Sequence, residues 1–175
     1  MQTVRQFQTP EDFWNGMLLP DYNDFQADVG DLRMAFHSAI SLFHMHDWVF
    51  NIHEDYIIAN FTLIDDQGNT PRTKKAKHFG NALEAICPDF ALIRGIANAG
   101  KHLALSNIRP HPDAPSHSSN TASQSLGFGE GSYGIGPYGG GPQVMLEGAN
   151  GHLHFSEIAK SVYNMWVSLK DEHGW

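Results

Sequence analysis

Cysteine is almost missing from this chain: Cys87 is the only one, so no disulfide framework can form within it, and the compartment expected is the reducing cytoplasm. Long hydrophobic runs are missing too. The most apolar stretch, Tyr56 to Ile64, is short and contains Asn60, which excludes a signal peptide or bilayer span there and leaves no membrane partner to expect. Positive charge is scarce, with 11 Lys and Arg against 19 Asp and Glu and a net charge of −8. A surface negative overall repels phosphate backbones, so non-specific nucleic-acid binding is disfavoured unless the few cations are concentrated locally. No internal repeat is visible, which argues against a solenoid.

The 175 residues are enough for one domain that buries about 70% of its unfolded surface, so neither metal nor disulfide is required for folding. One helical domain over residues 1–175 is expected. The cations do cluster once. Arg72, Lys74, Lys75 and Lys77, followed by His78, place four of the 11 Lys and Arg in a short strip. It reads either as the solvated start of a helix or as a contact strip for RNA or an acidic partner.

Thr9-Pro10-Glu11-Asp12 predicts a helix start, with Thr as cap, Pro in the first turn and acids at the positive end of the dipole. This helix is expected to stop near Leu19-Pro20. From Asp31 to His53, Leu32, Phe36, Ala39, Phe43 and Phe50 recur at helical spacing and predict the spine of the fold. Tyr56 to Ile64 fits either a strand or a helix, and Asp65 to Asn69 is turn chemistry. Thr70-Pro71 is expected to open a helix running to Cys87, and Pro88 to break it and start another reaching about Leu105. Residues 106–143, rich in Ser, Pro, His and Gly, predict a flexible loop. Val144-Met145-Leu146 and His152 to Phe155, separated by Gly148-Ala149-Asn150-Gly151, predict a small hairpin. Ser156 is expected to cap a last helix with Ile158, Val162, Met165 and Leu169 on its apolar side.

Projected at 100° per residue, His46 and Asp47 fall inside the apolar arc of the spine helix. Polar groups buried there demand partners, since an unpaired one costs on the order of 1–3 kcal/mol. His37 and His44 project to the opposite side, toward solvent. His44 and His46 cannot share one ion on a regular helix, because residues two apart point roughly 200° away from each other, and no metal or other cofactor is expected. On the helix after Pro88, Arg94, Asn98 and Lys101 fall within about 60° with His102 at the margin, opposite Leu92, Ile96, Ala99 and Leu103. That stripe is either a solvated face or a site. Its mix of Asn, Lys and His beside Ala and Gly is unlike the Glu and Lys that fill most solvated faces. If the two helices pack, Asp47 can accept from Arg94 or Lys101, and His46 can bond Asn98 or His102.

Gly134 to Gly139 matches a dinucleotide fingerprint by letter, but Pro137 interrupts it and no helix follows, so it reads as loop. Cys87, directly before Pro88, reads as a buried or capping thiol.

The run Phe36-His37-Ser38-Ala39 through His46-Asp47-Trp48, with Ile96-Ala97-Asn98-Ala99-Gly100-Lys101-His102 downstream, resembles a group of bacterial helical-bundle proteins and, more remotely, the HEPN superfamily. The resemblance covers roughly residues 30–105 and the last helix. It implies a helical bundle, often dimeric, acting as a metal-independent ribonuclease in a toxin–antitoxin or phage-defence setting. The HEPN signature is an Arg, often followed by a polar residue, with a His a turn or two further along the same helix. Carried over, Arg94 would bind phosphate and His102 would act as general acid or base at the 2′-hydroxyl. The pattern departs in spacing. Arg94 and His102 lie about 12 Å apart along the axis and roughly 80° around it, whereas Asn98 and His102 are one turn apart and Lys101 can supply positive charge instead.

The expectation is therefore an all-α fold of four to five helices with a long Gly/Ser/Pro-rich loop and a small β-hairpin before the last helix. Two functions compete. One is a HEPN-like protein acting on RNA or nucleotide phosphates through His102, Asn98, Lys101 and Arg94, supported by His46 and Asp47 and working as a homo-oligomer. The other is a non-enzymatic module with a structural polar cluster, binding a protein partner such as an antitoxin.

Overall fold

Thr9 caps the first helix as its sequence predicts: its hydroxyl accepts from the Asp12 N–H at 3.1 Å and the Asp12 carboxylate accepts from the Thr9 N–H at 3.0 Å. The computed structural model describes residues 6–101, 114–115, 117–125, 141–148 and 151–175. After α1 (Pro10–Phe13) the chain does not stop at Leu19-Pro20. It widens into a π-helical turn, Trp14–Leu18, closed by the Leu19 N–H on the Trp14 carbonyl, and continues as α2 (Leu19–Ala27). Pro20 is tolerated because it falls at the start of α2, where the ladder has just changed register and a missing N–H matters least. Burial of Leu18, Tyr22 and Phe25 holds the extension in place.

The spine is α3 (Leu32–Ile52), capped by the Asp31 carboxylate on the Met34 N–H at 3.0 Å. It packs against α1, α2 and the four later helices, so its buried surface is wider than one stripe and takes in Ala35, Ser38, Ser41, Leu42, Met45 and Val49. Ser41, on the side expected to face water, is buried and donates to Asp21 of α2. His37 is exposed; His44, expected beside it in solvent, is half-buried.

The open segment resolves as a short helix, α4 (Glu54–Asn60), followed by a turn in which the Asp65 carboxylate accepts from the Gln67 and Asn69 N–H groups, each at 2.9 Å. The next helix, α5 (Ala76–Ile86), starts later than Thr70-Pro71. Arg72, Lys74 and Lys75 explain the delay, because cations repel the positive end of a helix dipole. Cys87 is extended ahead of Pro88, and α6 (Asp89–Lys101) follows at once, so α5 and α6 are neighbours.

Within the segment expected to be loop, a 3₁₀ turn (Ser118–Asn120) leads into β1 (Thr121–Ser125), which pairs antiparallel with β2 (Pro142–Gly148); β2 pairs antiparallel with β3 (Gly151–His154). The predicted hairpin is present, but a third strand extends it. Thr-Ala-Ser-Gln-Ser carries no apolar alternation, and its strand geometry comes from backbone pairing with β2. The last helix, α7 (Phe155–His173), begins earlier than expected, with His154 at the N-cap position but no side-chain cap bond, so Ser156 sits inside its first turn. Ile158, Val162, Met165 and Leu169 are buried as predicted. The architecture is mostly helical with a three-stranded antiparallel sheet, where an all-α bundle with a lone hairpin was expected. Among the described residues no helix is long and apolar enough to cross a membrane.

Candidate functional site

Two glycines let the helices around the site approach closely. A side chain at Gly100 would meet the Phe36 ring at 3.0 Å, and one at Gly80 would meet the His46 ring at 3.2 Å. The first contact, with Phe90 of α6 lying 6.0 Å from His46 between ring centroids, makes α3 and α6 antiparallel neighbours. The expectation that they pack therefore holds, with a consequence for register. Phe90 to Arg94 lie level with His46 and Asp47. Asn98 and Lys101 lie toward the Phe36 end, and Asn98 is about 12 Å along the axis from Phe90. Asn98 is half-buried, Lys101 closes α6, and His102 lies outside the described residues, as does Gly134 to Gly139.

Among the described residues the titratable groups gathered around His46 and Asp47 come from α3 itself, and the side chains of Lys101 and His102, two of the expected partners, lie outside those described. Asp47 takes a hydrogen bond from His44 Nδ1 at 2.9 Å, and its other oxygen lies 3.5 Å from His46 Nε2. One carboxylate thus stands between two imidazoles of its own helix. His44 and Asp47 are part-exposed, at 29% and 42%, while His46 is sealed among Phe43, Phe90 and Gly80. His46 Nδ1–H donates to the Phe43 carbonyl at 2.5 Å, which fixes the proton on that nitrogen and turns Nε2 toward Asp47.

Arg94 turns to α5 rather than to the Asp47 expected. Its Nη1 donates to Asn81 Oδ1 and Glu84 Oε1 of α5, both at 2.9 Å, because the antiparallel register brings α5 alongside the first half of α6. Asn81 in turn donates to the Ile64 carbonyl at 2.8 Å, tying the turn after α4 to the same cluster. Asn81 and Glu84 were not singled out from sequence. Their signal was available, since Lys77, Asn81 and Glu84 recur at helical spacing on one side of α5. His44 was set aside although it stands three residues before Asp47, one turn away.

Burial holds the His46 imidazole below its ordinary pKa, and the positive charges of His44 and Arg94 push the same way. Asp47 and the Phe43 carbonyl oppose this without cancelling it. His78, also buried, is lowered by burial and by Lys77. Above about pH 6.5 both are neutral, folded or unfolded; below it the unfolded chain takes up protons first, so stability falls as the pH drops toward the depressed folded values. The urea midpoint should therefore fall between pH 7.5 and pH 5.0. His46→Gln should remove part of that fall, His78 retaining the rest. An identical fall in the variant would show that His46 is not held neutral.

Comparison with family models, with curated proteins and with solved structures finds no match to this chain.

What the cluster can do is therefore a matter of its own chemistry. It contains a carboxylate, an imidazole held by it, a second imidazole held neutral, and a guanidinium on an Asn–Glu pair. Among the described residues no three His, Cys, Asp or Glu side chains converge as a metal site. Cys87 lies elsewhere, buried, with its Sγ 3.5 Å from Ser161 Oγ. That thiol borders an open groove of about 360 Å³ lined mainly by α7.

Proposed function

We propose that this is a HEPN-like helical protein that acts on RNA or nucleotide phosphates in a toxin or defence setting. Its acid–base centre would be the His44–Asp47 pair, with His46 and Arg94 beside it. The observation that carries the reading is the Asp47 carboxylate placed between two imidazoles. By accepting the Nδ1 proton of His44, it orients that ring and leaves Nε2 as the nitrogen available to a substrate, the arrangement general acid–base catalysis uses. His44 Nε2 would take the 2′-hydroxyl proton as O2′ attacks phosphorus, and the departing 5′-oxygen would be protonated by a second group, leaving a 2′,3′-cyclic phosphate. His102, the general acid or base that the resemblance implies, is the candidate for that group and lies outside the described residues, with Asn98 and Lys101 as the remaining polar residues of that reading. Among the described residues Arg94 bonds Asn81 and Glu84 through Nη1, and its guanidinium carries further N–H donors of the kind suited to a phosphate oxygen.

A second reading has its own support. Glu84 neutralises Arg94 and His46 is sealed, as in a polar network that only holds helices in register. The protein would then be an interaction module for a protein partner. Incubating the purified protein with a labelled RNA oligonucleotide separates the two. Cleavage to cyclic phosphate ends, lost in His44→Ala and His102→Ala, supports the enzyme; an intact substrate together with harmless induced expression overturns it.

A further inference from the structure

Trp48 lies one turn along α3 from His44 and directly after Asp47, yet the proposed chemistry gives it no part. His44, Trp48 and Asn51 fall within about 60° of one another around the helix, and one turn sets the first two at the ~5–6 Å between Cβ atoms of helical neighbours. Trp48 is half-buried: Phe13 stacks on its indole with centroids 5.2 Å apart and 18° between planes, and Phe7 meets it at 6.5 Å and 79°. Phe7 is itself exposed and lies over Gly16, where any side chain would overlap its ring. The N-terminal stretch thus brings a second, exposed ring to the side of α3 that carries the acid–base pair. Ile52, one turn beyond Trp48, and Met17, next to Gly16 in the chain, are exposed as well. Three of the six exposed large hydrophobic residues therefore gather here, a concentration of the kind that marks a binding surface. Among the described residues the Trp48 indole N–H and the Asn51 amide make no hydrogen bond, and neither is sealed from water.

An occupant of this face has to suit aromatic rings and an acid–base pair together. In a ribonucleotide the base and the 2′-hydroxyl hang from adjacent ribose carbons, so the group that holds the base stands close to the group that takes the hydroxyl proton. Bases of single-stranded RNA are held in this manner, splayed out and stacked on aromatic side chains. The charge balance points the same way. With a net charge of −8 the chain offers little long-range attraction to phosphates, so stacking has to supply much of the affinity. We infer that Trp48, flanked by Phe7, is the stacking platform for the nucleobase of the ribose whose 2′-hydroxyl meets His44, with the Asn51 amide bonding the edge of that base. This rests on the reading of His44 and Asp47 as the acid–base centre. Adenine suits Asn51 best, because an asparagine amide can pair with its N6 and N7 together.

The test is binding of fluorescein-labelled penta-adenylate to the full chain carrying His44→Ala, so that binding is read without turnover, against an abasic strand of equal length and charge. Penta-adenylate should bind about 5- to 150-fold more tightly, the range for one stacked base, and log K should fall against log salt with a slope no steeper than about −2. Adding Trp48→Leu should remove most of that difference and leave abasic binding unchanged, and Trp48→Phe should restore much of it. Urea unfolding of each chain checks that the contact with Phe13 survives. Phe7→Ala and Asn51→Ala, at exposed positions, should each weaken penta-adenylate binding by about 5-fold and abasic binding not at all. Equal binding of the two strands, or an equal loss on both in the Trp48 and Phe7 variants, overturns the platform and leaves the face to a protein partner. Base-dependent binding through Trp48 without any cleavage by the chain with His44 intact would support the platform and overturn the proposed function.

Discussion

Replacing Asp47 by asparagine should lower RNA-cleaving turnover by about 10²- to 10⁴-fold while leaving the fold in place. The magnitude is that of losing a positioned general base. Asparagine keeps the shape of the side chain, but its amide can turn to donate toward Nδ1 and so invert the imidazole tautomer that the carboxylate selects. The fold is expected to survive because Asp47 is 42% exposed and its ion pairs are screened by solvent, so the stability cost should stay below about 1 kcal/mol. The measurement is single-turnover cleavage beside a urea melt of the same sample. Full activity in the variant would remove Asp47 from the mechanism, and with it the reason for placing the chemistry at this end of α3.

Trp166→Ala should be among the most damaging substitutions to stability, costing about 3–5 kcal/mol. Trp166 is 1% exposed, touches Phe90 edge-on with ring centroids 6.1 Å apart, and donates its indole N–H to the Leu42 carbonyl at 2.9 Å. One side chain of α7 therefore joins α6 and α3 together. Truncation leaves a cavity where the three helices meet and takes a donor from a buried carbonyl. For a domain whose total stability is about 5–15 kcal/mol, that brings the protein near its unfolding threshold at ambient temperature. Trp166→Phe should cost less, since it keeps much of the apolar area and loses chiefly the hydrogen bond. Urea unfolding of the pair gives both numbers; a loss under about 1 kcal/mol for the alanine variant would mean that this junction does not hold the helices together.

The helical spine was legible because Leu32 to Phe50 repeat at 3.6-residue spacing and Asp31 supplies its cap. The stretch before the last helix was legible as a hairpin, since Val144 to Leu146 and His152 to Phe155 flank a glycine-bounded turn. Local rules failed where a longer-range or less regular arrangement won. Pro20 reads as a stop, and only the π-helical turn before it lets the helix continue. Thr121 to Ser125 reads as loop, and only pairing with β2 makes it a strand. Ser41 and His44 project away from the apolar stripe, yet the helices packed around α3 leave it little free surface.

The site divides in the same way. Sequence alone marked His46 and Asp47 as polar groups in need of partners, because burial of an unpaired polar group is costly whatever the fold, and left Arg94 on a stripe that could be a solvated face or a site. It could not name those partners, since side chains from different helices meet according to the direction and register in which the helices pack, and helical periodicity carries neither. The antiparallel alignment of α3 and α6, with α5 alongside, gave Arg94 to Asn81 and Glu84, while His44, Asp47 and His46 meet along one helix.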